Sequence, residues 1–177
     1  MDLRIVKTKN QIKQAFLSLR KKYSLEKIKV KDICDLAMIN KTTFYKHYVD
    51  SYALANELEE SCMDKLMNAF SEKKVLFESP KTYVQGLLAA TEKYAEELRA
   101  VYRDRKDAFV SKLESKLMQA CESDESSERR MAATFMISGT ANVLAQWLFG
   151  EEGKNLDLNA VAAYIERMSR NLLPANT

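Results

Sequence analysis

Residues 30–48 of the chain read VKDICDLAMINKTTFYKHY. Apolar residues recur at helical spacing over Val30–Ala37, which predicts a short helix with one buried face. Asn40 is a good N-cap for a second helix over Lys41–Tyr48, because its side chain can accept a hydrogen bond from the free backbone N–H groups there. Two short helices joined by a tight turn, the second one polar and basic on its outer face, predict a helix-turn-helix.

The second of these helices has an inner and an outer face. Phe44 and Tyr48 lie four residues apart and face inward, so the other side chains are left outside. A helix in the DNA major groove presents the side chains near its N-terminus to the base edges, and Lys41 and Thr42 are in that position. A lysine can donate to guanine O6 and N7, and a threonine methyl group can contact a thymine methyl group. We therefore expect these two residues to read bases.

Positive charge is concentrated in the same part of the chain. Residues 1–50 carry 12 Lys and Arg against 5 Asp and Glu, whereas the rest carries 16 against 20. This asymmetry predicts that the N-terminal segment binds a polyanion. Lys46 adds a charge near the phosphate backbone of DNA, and Lys29 and Lys31 add two more from the start of the first short helix. The alternative interpretation is an ordinary solvated surface on a three-helix unit.

Residues 30–48 closely resemble the DNA-binding domain of the TetR family of transcriptional regulators. In that family a Thr/Ser-Phe/Leu-Tyr-x-His/Tyr-Phe/Tyr run forms the recognition helix, matched here by Thr43, Phe44, Tyr45, His47 and Tyr48. The resemblance covers about residues 5–60 and is architectural beyond them. It implies that Tyr45 and His47 hydrogen-bond to phosphates and fix the register on double-stranded DNA. The predicted DNA-binding residues are Lys29, Lys31, Lys41, Thr42, Thr43, Tyr45, Lys46 and His47.

Three residues depart from the family's pattern. Val30 stands where the family usually has Thr or Ser, which removes one cap and one phosphate contact. Met38 replaces the usual Gly of the turn, where φ is often positive, so this turn is expected to be strained or differently shaped. Ser51 stands where a Lys usually contacts phosphate. These departures bear on the strength of DNA binding more than on the fold.

The composition of the whole chain favours helices. Of 177 residues only 4 are Gly and 2 are Pro, and strands joined by tight turns need more of both. We predict an all-α fold, with a three-helix helix-turn-helix DNA-binding domain over residues 1–50 and a helical bundle that dimerises over residues 51–177. The predicted helices are Ile5–Tyr23, Val30–Ala37, Lys41–Tyr48, Ser51–Lys74, Pro80–Tyr102, Lys106–Cys121, Glu128–Phe149 and Leu158–Leu173.

The run Met131–Gly150 contains no charged residue. It is long enough to span a bilayer, but Asn142 and Gln146 inside it are too polar for an isolated span in lipid. We therefore expect a helix that protein covers on most of its sides. By resemblance to the family, the last two helices form a four-helix bundle with those of a second subunit. The predicted members of this homodimer interface are Phe135, Gly139, Asn142, Trp147, Tyr164 and Met168.

The family places ligand binding in the same C-terminal domain, which implies a small-molecule effector. Aromatic and methionine side chains at helical spacing fit the lining of an effector cavity. They fit plain core equally well, and core is the commoner role of such stripes. The candidate residues for the effector pocket are Phe70, Tyr83, Tyr94, Tyr102, Phe109 and Met118.

Little in the sequence points to catalysis or to a metal. His47 is the only histidine, and the three cysteines Cys34, Cys62 and Cys121 lack the spacing of metal ligands. We expect no cofactor, no metal and no enzymatic activity. Residues 1–10 are polar and lack the apolar core of a signal peptide, so we expect a cytoplasmic protein without membrane association. The main alternative is an interaction protein that acts through a protein partner, with weak or lost DNA binding.

Overall fold

Every regular element in the described part of the chain is a helix. The computed structural model describes residues 3–71, 75–121, 127–151 and 157–172, and no strand occurs in these ranges. The predicted all-α fold class is therefore confirmed. The α-helices are α1 (Leu3–Arg20), α2 (Val30–Ala37), α3 (Lys41–Tyr45), α4 (Ser51–Ala69), α5 (Pro80–Lys93), α6 (Ala95–Val101), α7 (Lys106–Cys121), α8 (Ser127–Phe149) and α9 (Leu158–Leu172).

Some helices end earlier than the sequence predicts. α3 ends at Tyr45 and not at Tyr48, because the chain tightens into a turn in which the N–H of His47 donates to the carbonyl of Phe44 at 2.9 Å. α1 ends at Arg20, three residues before the predicted end. α4 ends at Ala69, before the predicted end at residue 74, and the described residues Phe70 and Ser71 are no longer helical. The predicted end of the last helix, at residue 173, lies outside the described residues.

The single helix predicted over Pro80–Tyr102 is wrong. The structure has two helices there, α5 and α6, because the backbone leaves helical geometry at Tyr94, with φ −110° and ψ 12°. The N–H of Tyr94 bonds to the carbonyl of Thr91 at 3.2 Å, which tightens the last turn of α5. No Gly or Pro marks this break, so periodicity alone continues through it.

Contacts within the chain divide it into two compact units. The first unit contains Met1–Cys62 and Glu96–Asp104, and the second contains Met63–Ala95 and Arg105–Thr177. α4 thus begins in the first unit and ends in the second, while most of α6 belongs to the first. The domain division predicted from the sequence, after residue 50, stays a prediction, because packing does not tell which parts fold independently.

The core of the first unit is built from large apolar side chains. Phe16 of α1, Ile33 of α2 and Phe44 of α3 are at most 1% exposed. Removing a side chain of this size from water stabilises a protein by about 1.5–3 kcal/mol. Burial of these three side chains therefore helps to hold the three N-terminal helices together.

An ion-pair cluster joins α1 to α4 within the first unit. The Glu57 carboxylate lies 3.2 Å from the Lys9 amine and 2.8 Å from the Lys13 amine. Burial acts to raise the pKa of Glu57, but its hydrogen bonds and charge interactions with Lys13 and Lys9 outweigh burial and hold the pKa below its usual value. The Lys9 amine also lies 5.3 Å from the ring centre of Tyr48, a cation–π distance.

A buried arginine joins α1 to the segment after α6. Arg20 is fully buried and forms an ion pair with Asp104. The second oxygen of Asp104 accepts a hydrogen bond from the N–H of Leu25 at 3.0 Å. Burial acts to raise the pKa of Asp104, but the N–H of Leu25 and the Arg20 guanidinium outweigh it, so the pKa lies below its usual value.

In the second unit, α8 packs along α7 and α5 packs along α9. The rings of Phe109 and Phe149 meet edge to face with their centres 5.4 Å apart. Those of Phe70 and Tyr83 meet in the same way at 5.1 Å. Such aromatic pairs contribute about 0.5–1.5 kcal/mol beyond the area that they bury, so they help to define how these helices pack.

Replacing Met38 by Gly is expected to stabilise the protein by up to about 1 kcal/mol. Met38 has φ 54° and ψ 45°, a left-handed conformation that costs a residue with a Cβ atom about 1–2 kcal/mol. Glycine avoids this cost but loses more backbone freedom on folding, which takes back part of the gain. The Met38 side chain is 85% exposed, so little packing is lost.

Urea unfolding measures the change in the free energy of unfolding of the Met38→Gly variant. Met38→Ala keeps the Cβ atom and is the matched control, and a glycine variant no more stable than this control would contradict the prediction.

The free energy of unfolding is expected to fall in acid partly through Asp104. Because the folded-state pKa of Asp104 is lowered, its contribution is complete above the unfolded value of about 3.9 and is lost as the pH falls through the folded value. Urea unfolding between about pH 6 and pH 2 measures this slope. Asp104→Asn should flatten it, whereas Asp107→Asn, at an exposed position of α7, should leave it as in the wild type. Equal slopes for both variants would count against the assignment.

Candidate nucleic-acid interface

The start of α2 is closed by its own aspartate. The backbone N–H of Lys29, the N-cap residue, donates to the Asp32 carboxylate at 3.2 Å. The reciprocal bond of a capping box is missing, because the Lys29 side chain has no acceptor atom. Val30 is the first residue inside the helix and not its cap. The cap expected to be lost at Val30 is therefore partly replaced by Asp32.

The turn between α2 and α3 reverses the chain through Met38. The N–H of Ile39 donates to the carbonyl of Cys34 at 3.0 Å, which satisfies one of the free carbonyls at the end of α2. This closure requires a left-handed residue before Ile39, and Met38 has that conformation. The prediction that the turn is strained at Met38 is therefore confirmed.

Asn40 caps α3, as predicted. Its side-chain oxygen accepts from the backbone N–H of Thr43 at 2.7 Å and from the Thr43 hydroxyl at 2.8 Å. Losing such a cap costs about 0.5–2 kcal/mol. Since the hydroxyl proton of Thr43 is engaged in the cap, Thr43 supports the start of α3, and its oxygen alone remains to accept a further hydrogen bond.

The aromatic side chains of α3 are braced by the core. Phe44 is fully buried, and its ring meets that of Tyr45 at 89° with the centres 5.6 Å apart. The ring of Tyr48 lies 5.8 Å from that of Phe44 and 6.5 Å from that of His47. Tyr45 is itself exposed and His47 is half-buried. The side chains expected to contact phosphates thus stand on a buried aromatic base.

The predicted base-reading residues are accessible. Lys41 and Thr42 are exposed at the start of α3, and Lys46 is exposed just after its end. Lys29 and Lys31 are exposed around the start of α2. The structure therefore brings a row of polar and basic side chains together along one short helix, with two more lysines at the start of the helix before it.

Not all the positive charge of residues 1–50 is free for a polyanion. Lys9 and Lys13 pair with Glu57, and Arg20 pairs with Asp104. The sequence-based count assigned both carboxylates to the other part of the chain. The charge excess on the surface of the first unit is therefore smaller than the count indicated.

Residues at the start of α4 were not among the predicted contacts. Val49 is 78% exposed, and Tyr52 is also exposed. The carboxylate of Asp50 between them accepts from the N–H of Ala53 at 2.7 Å and caps α4. Ser51 is buried, so its hydroxyl does not replace the phosphate contact of the usual lysine. Exposed apolar residues next to a cap carry no periodic signal, which is why the sequence did not single them out.

The candidate effector residues do not all fall in one unit. Tyr102 belongs to the first unit, where its buried hydroxyl donates to the carbonyl of Glu59 at 3.0 Å. The other five candidates lie in the second unit: Phe70, Tyr83 and Phe109 are fully buried, and Tyr94 and Met118 are half-buried. Tyr102 thus has a structural role apart from them.

Tyr83 carries an unpaired polar atom within this set. Its hydroxyl is buried and has no hydrogen-bond partner among the described residues. Burial raises the pKa of Tyr83 well above its usual value, and the nearby Cys121 thiol adds to the shift. A buried hydroxyl without a partner costs about 1–3 kcal/mol.

Most of the candidate dimer residues line a groove between α8 and α9. Its volume is about 840 Å³. Phe135 of this groove is 58% exposed, and Met131, one turn before it on α8, is 66% exposed. Trp147 is half-buried and does not line the groove. The remaining five candidates all line it: Phe135, Gly139, Asn142, Tyr164 and Met168.

The described residues also lack the features of a membrane-spanning segment and of a metal site. None of the helices found there has both the length and the hydropathy for a membrane crossing. Over the same residues, no three His, Cys, Asp or Glu side chains come close enough together to hold a metal ion.

No protein-family model matches the chain, and no curated protein matches it. Its fold is similar to that of a solved structure, the dihydroxyacetone kinase operon activator DhaS. The similarity has a TM-score of 0.57 and covers 93% of this chain and 94% of that chain, with 16% sequence identity. At this identity the similarity shows a shared fold.

Proposed function

We propose that the chain is a TetR-like transcriptional regulator that binds a palindromic DNA operator as a homodimer. The observation that carries this proposal is the capped helix α3, which follows a tight turn and exposes Lys41, Thr42, Tyr45 and Lys46. DhaS, which shares the fold, is an operon activator, and this favours a role in transcription. Such a role requires no catalysis, and we propose a cytoplasmic protein.

The proposed contacts follow from the position of each side chain on α3. With α3 in the major groove, Lys41 and Thr42 read base edges. Tyr45, Lys46 and His47 contact phosphates, and Lys29 and Lys31 do so from the start of α2. Thr43 stabilises the start of α3 through the Asn40 cap. Sequence preference then depends on two residues, and affinity depends on the others.

A homodimer is supported by the chemistry of the face around the α8–α9 groove. A two-fold axis brings a surface against its own copy, so like charges on it would repel. The exposed part of α8 beyond Arg130 is uncharged and includes Met131 and Phe135. To bind successive major grooves of a palindromic operator, such a dimer must present its two α3 helices about 34–36 Å apart.

Small-molecule control is the second part of the proposal. The second unit contains the buried Phe70–Tyr83 aromatic pair and the unpaired Tyr83 hydroxyl. An effector with a polar group could bond to that hydroxyl and lie against the rings. It would change DNA affinity only if it bound the DNA-bound and free conformations unequally.

A second candidate function is favoured by exposed apolar residues in the first unit. Leu36, Met38 and Val49 are 51%, 85% and 78% exposed. Where exposed apolar side chains form a contiguous patch, they are typical of protein–protein interfaces. The chain would then act mainly through a protein partner, and DNA binding would be weak or lost.

Selection of bound fragments from a random DNA pool tests the proposed function directly. We expect the enriched sequence to be palindromic. On that operator, Lys46→Ala should weaken binding to all sequence variants alike and lower the salt slope by about 2 per dimer, because one phosphate contact per subunit is lost. Lys41→Ala and Thr42→Ala should instead change the preferred bases. Lys93→Ala, at an exposed position of α5, is the matched control and should change neither.

The selection also separates the two candidate functions. No enriched sequence, together with binding that stays weak at low salt, would favour the interaction protein. A Lys46→Ala variant that changed the sequence preference and kept the wild-type salt slope would show that the contact roles are assigned wrongly.

The homodimer is tested by sedimentation equilibrium at micromolar concentration. We expect the wild type to be a dimer and Gly139→Glu to be a folded monomer, because the new charge would be buried in the interface without a partner. A Cβ atom at Gly139 meets nothing within 4 Å in the chain itself, so Gly139→Ala should fold normally and remain a dimer. Ser115→Glu, at an exposed position of α7, controls for added charge. A monomeric wild type would contradict this part of the proposal.

A further inference from the structure

Residues 96–104 pack with the first unit although the chain on both sides of them packs with the second. The segment comprises most of α6 and the turn after it, and it is joined to the second unit through Ala95 and Arg105. Within the first unit, its last residues bond to the connection between α1 and α2, residues 21–25. Arg20, the residue just before this connection, takes part in the same contacts and is fully buried.

Asp104 is the centre of these contacts. One of its carboxylate oxygens is paired with the guanidinium of Arg20, the last residue of α1. The other accepts from the N–H of Leu25 at 3.0 Å, the first residue of the 3₁₀ turn that leads into α2. A single side chain therefore fixes both the end of α1 and the start of the chain toward α2.

The neighbouring residues of the segment reinforce the same connection. Arg20 also donates to the carbonyl of Val101 at 3.1 Å and to that of Tyr23 at 3.4 Å. Arg103 donates to the carbonyl of Lys21 at 2.6 Å. Backbone groups of residues 21–25 that no helix satisfies are thus bonded by side chains of residues 20, 103 and 104.

We call the contacts between residues 20–25 and residues 101–104 the junction. Because Arg20 is fully buried, the junction cannot open partway without leaving a buried charge unpaired. A fully buried charge that loses its partner is strongly destabilising, because neither water nor another charge replaces it. A movement of residues 101–104 must therefore carry the α1–α2 connection with it or break the ion pair. Lys29 and Lys31, the proposed phosphate contacts of α2, follow Leu25 by four and six residues.

We propose that Asp104 is a positioning residue for DNA binding, which fixes the α1–α2 connection and makes it depend on where residues 96–104 lie. This inference rests on the proposed DNA-binding function and adds a route of regulation to it. A change in the second unit that moves either end of the segment is transmitted through Asp104 to the lysines at the start of α2. It alters phosphate contacts and leaves the base-reading residues of α3 unchanged.

The experiment compares three variants with the wild type. Asp104→Asn keeps an acceptor for the N–H of Leu25 and removes the charge that pairs with Arg20. Arg20→Met combined with Asp104→Asn removes both charges, so that no buried charge is left alone and much of the stability returns. Asp107→Asn is the matched control outside the junction. Each protein is assayed for unfolding in urea, for amide hydrogen exchange over residues 21–29, and for affinity and salt slope on the selected operator.

A positioning role and a merely structural role predict different results for the double variant. In both Asp104→Asn and the double variant, we expect the backbone amides of residues 21–29 to exchange their hydrogens faster than in the wild type. Both should bind the operator roughly tenfold more weakly, with a lower salt slope and the same preferred bases, because phosphate contacts of Lys29 and Lys31 are lost. Asp107→Asn should match the wild type. If Asp104 only stabilises the fold, operator affinity should recover with the stability of the double variant, and that result would overturn the inference.

Failure of the proposed function gives a different pattern. If the wild type selects no operator, DNA binding itself is contradicted, and the hydrogen-exchange comparison still tests whether Asp104 holds residues 21–29. Wild-type exchange over these residues in folded Asp104→Asn would refute the positioning role whether or not the protein binds DNA.

Discussion

A helix of five residues makes too few internal hydrogen bonds to be stable alone, so α3 depends on the burial of Phe44. That side chain is fully buried in the first unit, and its ring supports those of Tyr45 and Tyr48. Asn40 satisfies the backbone at the start of the same helix. One buried ring and one cap thus hold the helix whose outer side chains carry the proposed DNA contacts. The proposed DNA contacts therefore depend on the packing around Phe44, because that packing holds α3 in place.

The turn before α3 shows how strain is accommodated beside a functional element. Met38 is left-handed and carries its side chain into solvent, so its conformation is not maintained by packing of that side chain. It is maintained by the closing hydrogen bond from Ile39 to Cys34 and by the cap at Asn40. The helices on both sides are anchored in the core, and they impose the turn on whatever residue occupies it. A residue unsuited to the conformation then lowers stability without changing the fold.

Charge has different functions in different parts of the first unit. The buried Arg20 pairs with the partly exposed Asp104, and Lys9 and Lys13 share Glu57. These charges are paired within the protein and hold elements in position, whereas the lysines around α2 and α3 remain exposed. This division is consistent with the proposed function. Affinity for DNA requires exposed cations, and the correct register on DNA requires that the helices carrying these cations are held in fixed positions. At the connection between α1 and α2 the two kinds of charge lie close together along the chain: paired charges fix the connection, and exposed lysines follow it at the start of α2.

Interactions within a few residues along the chain could be predicted from the sequence. The all-α class, the α2–turn–α3 motif, the cap at Asn40 and the strained turn at Met38 all belong to this group, because periodicity, caps and turn chemistry depend on near neighbours. The break at Tyr94 and the junction of Arg20 with Asp104 do not. A helix continues or stops at Tyr94 according to what its faces pack against, and no local residue marks the stop. Whether Arg20 is a free cation or a buried partner depends on a carboxylate 84 positions further along the chain, which folding alone brings beside it.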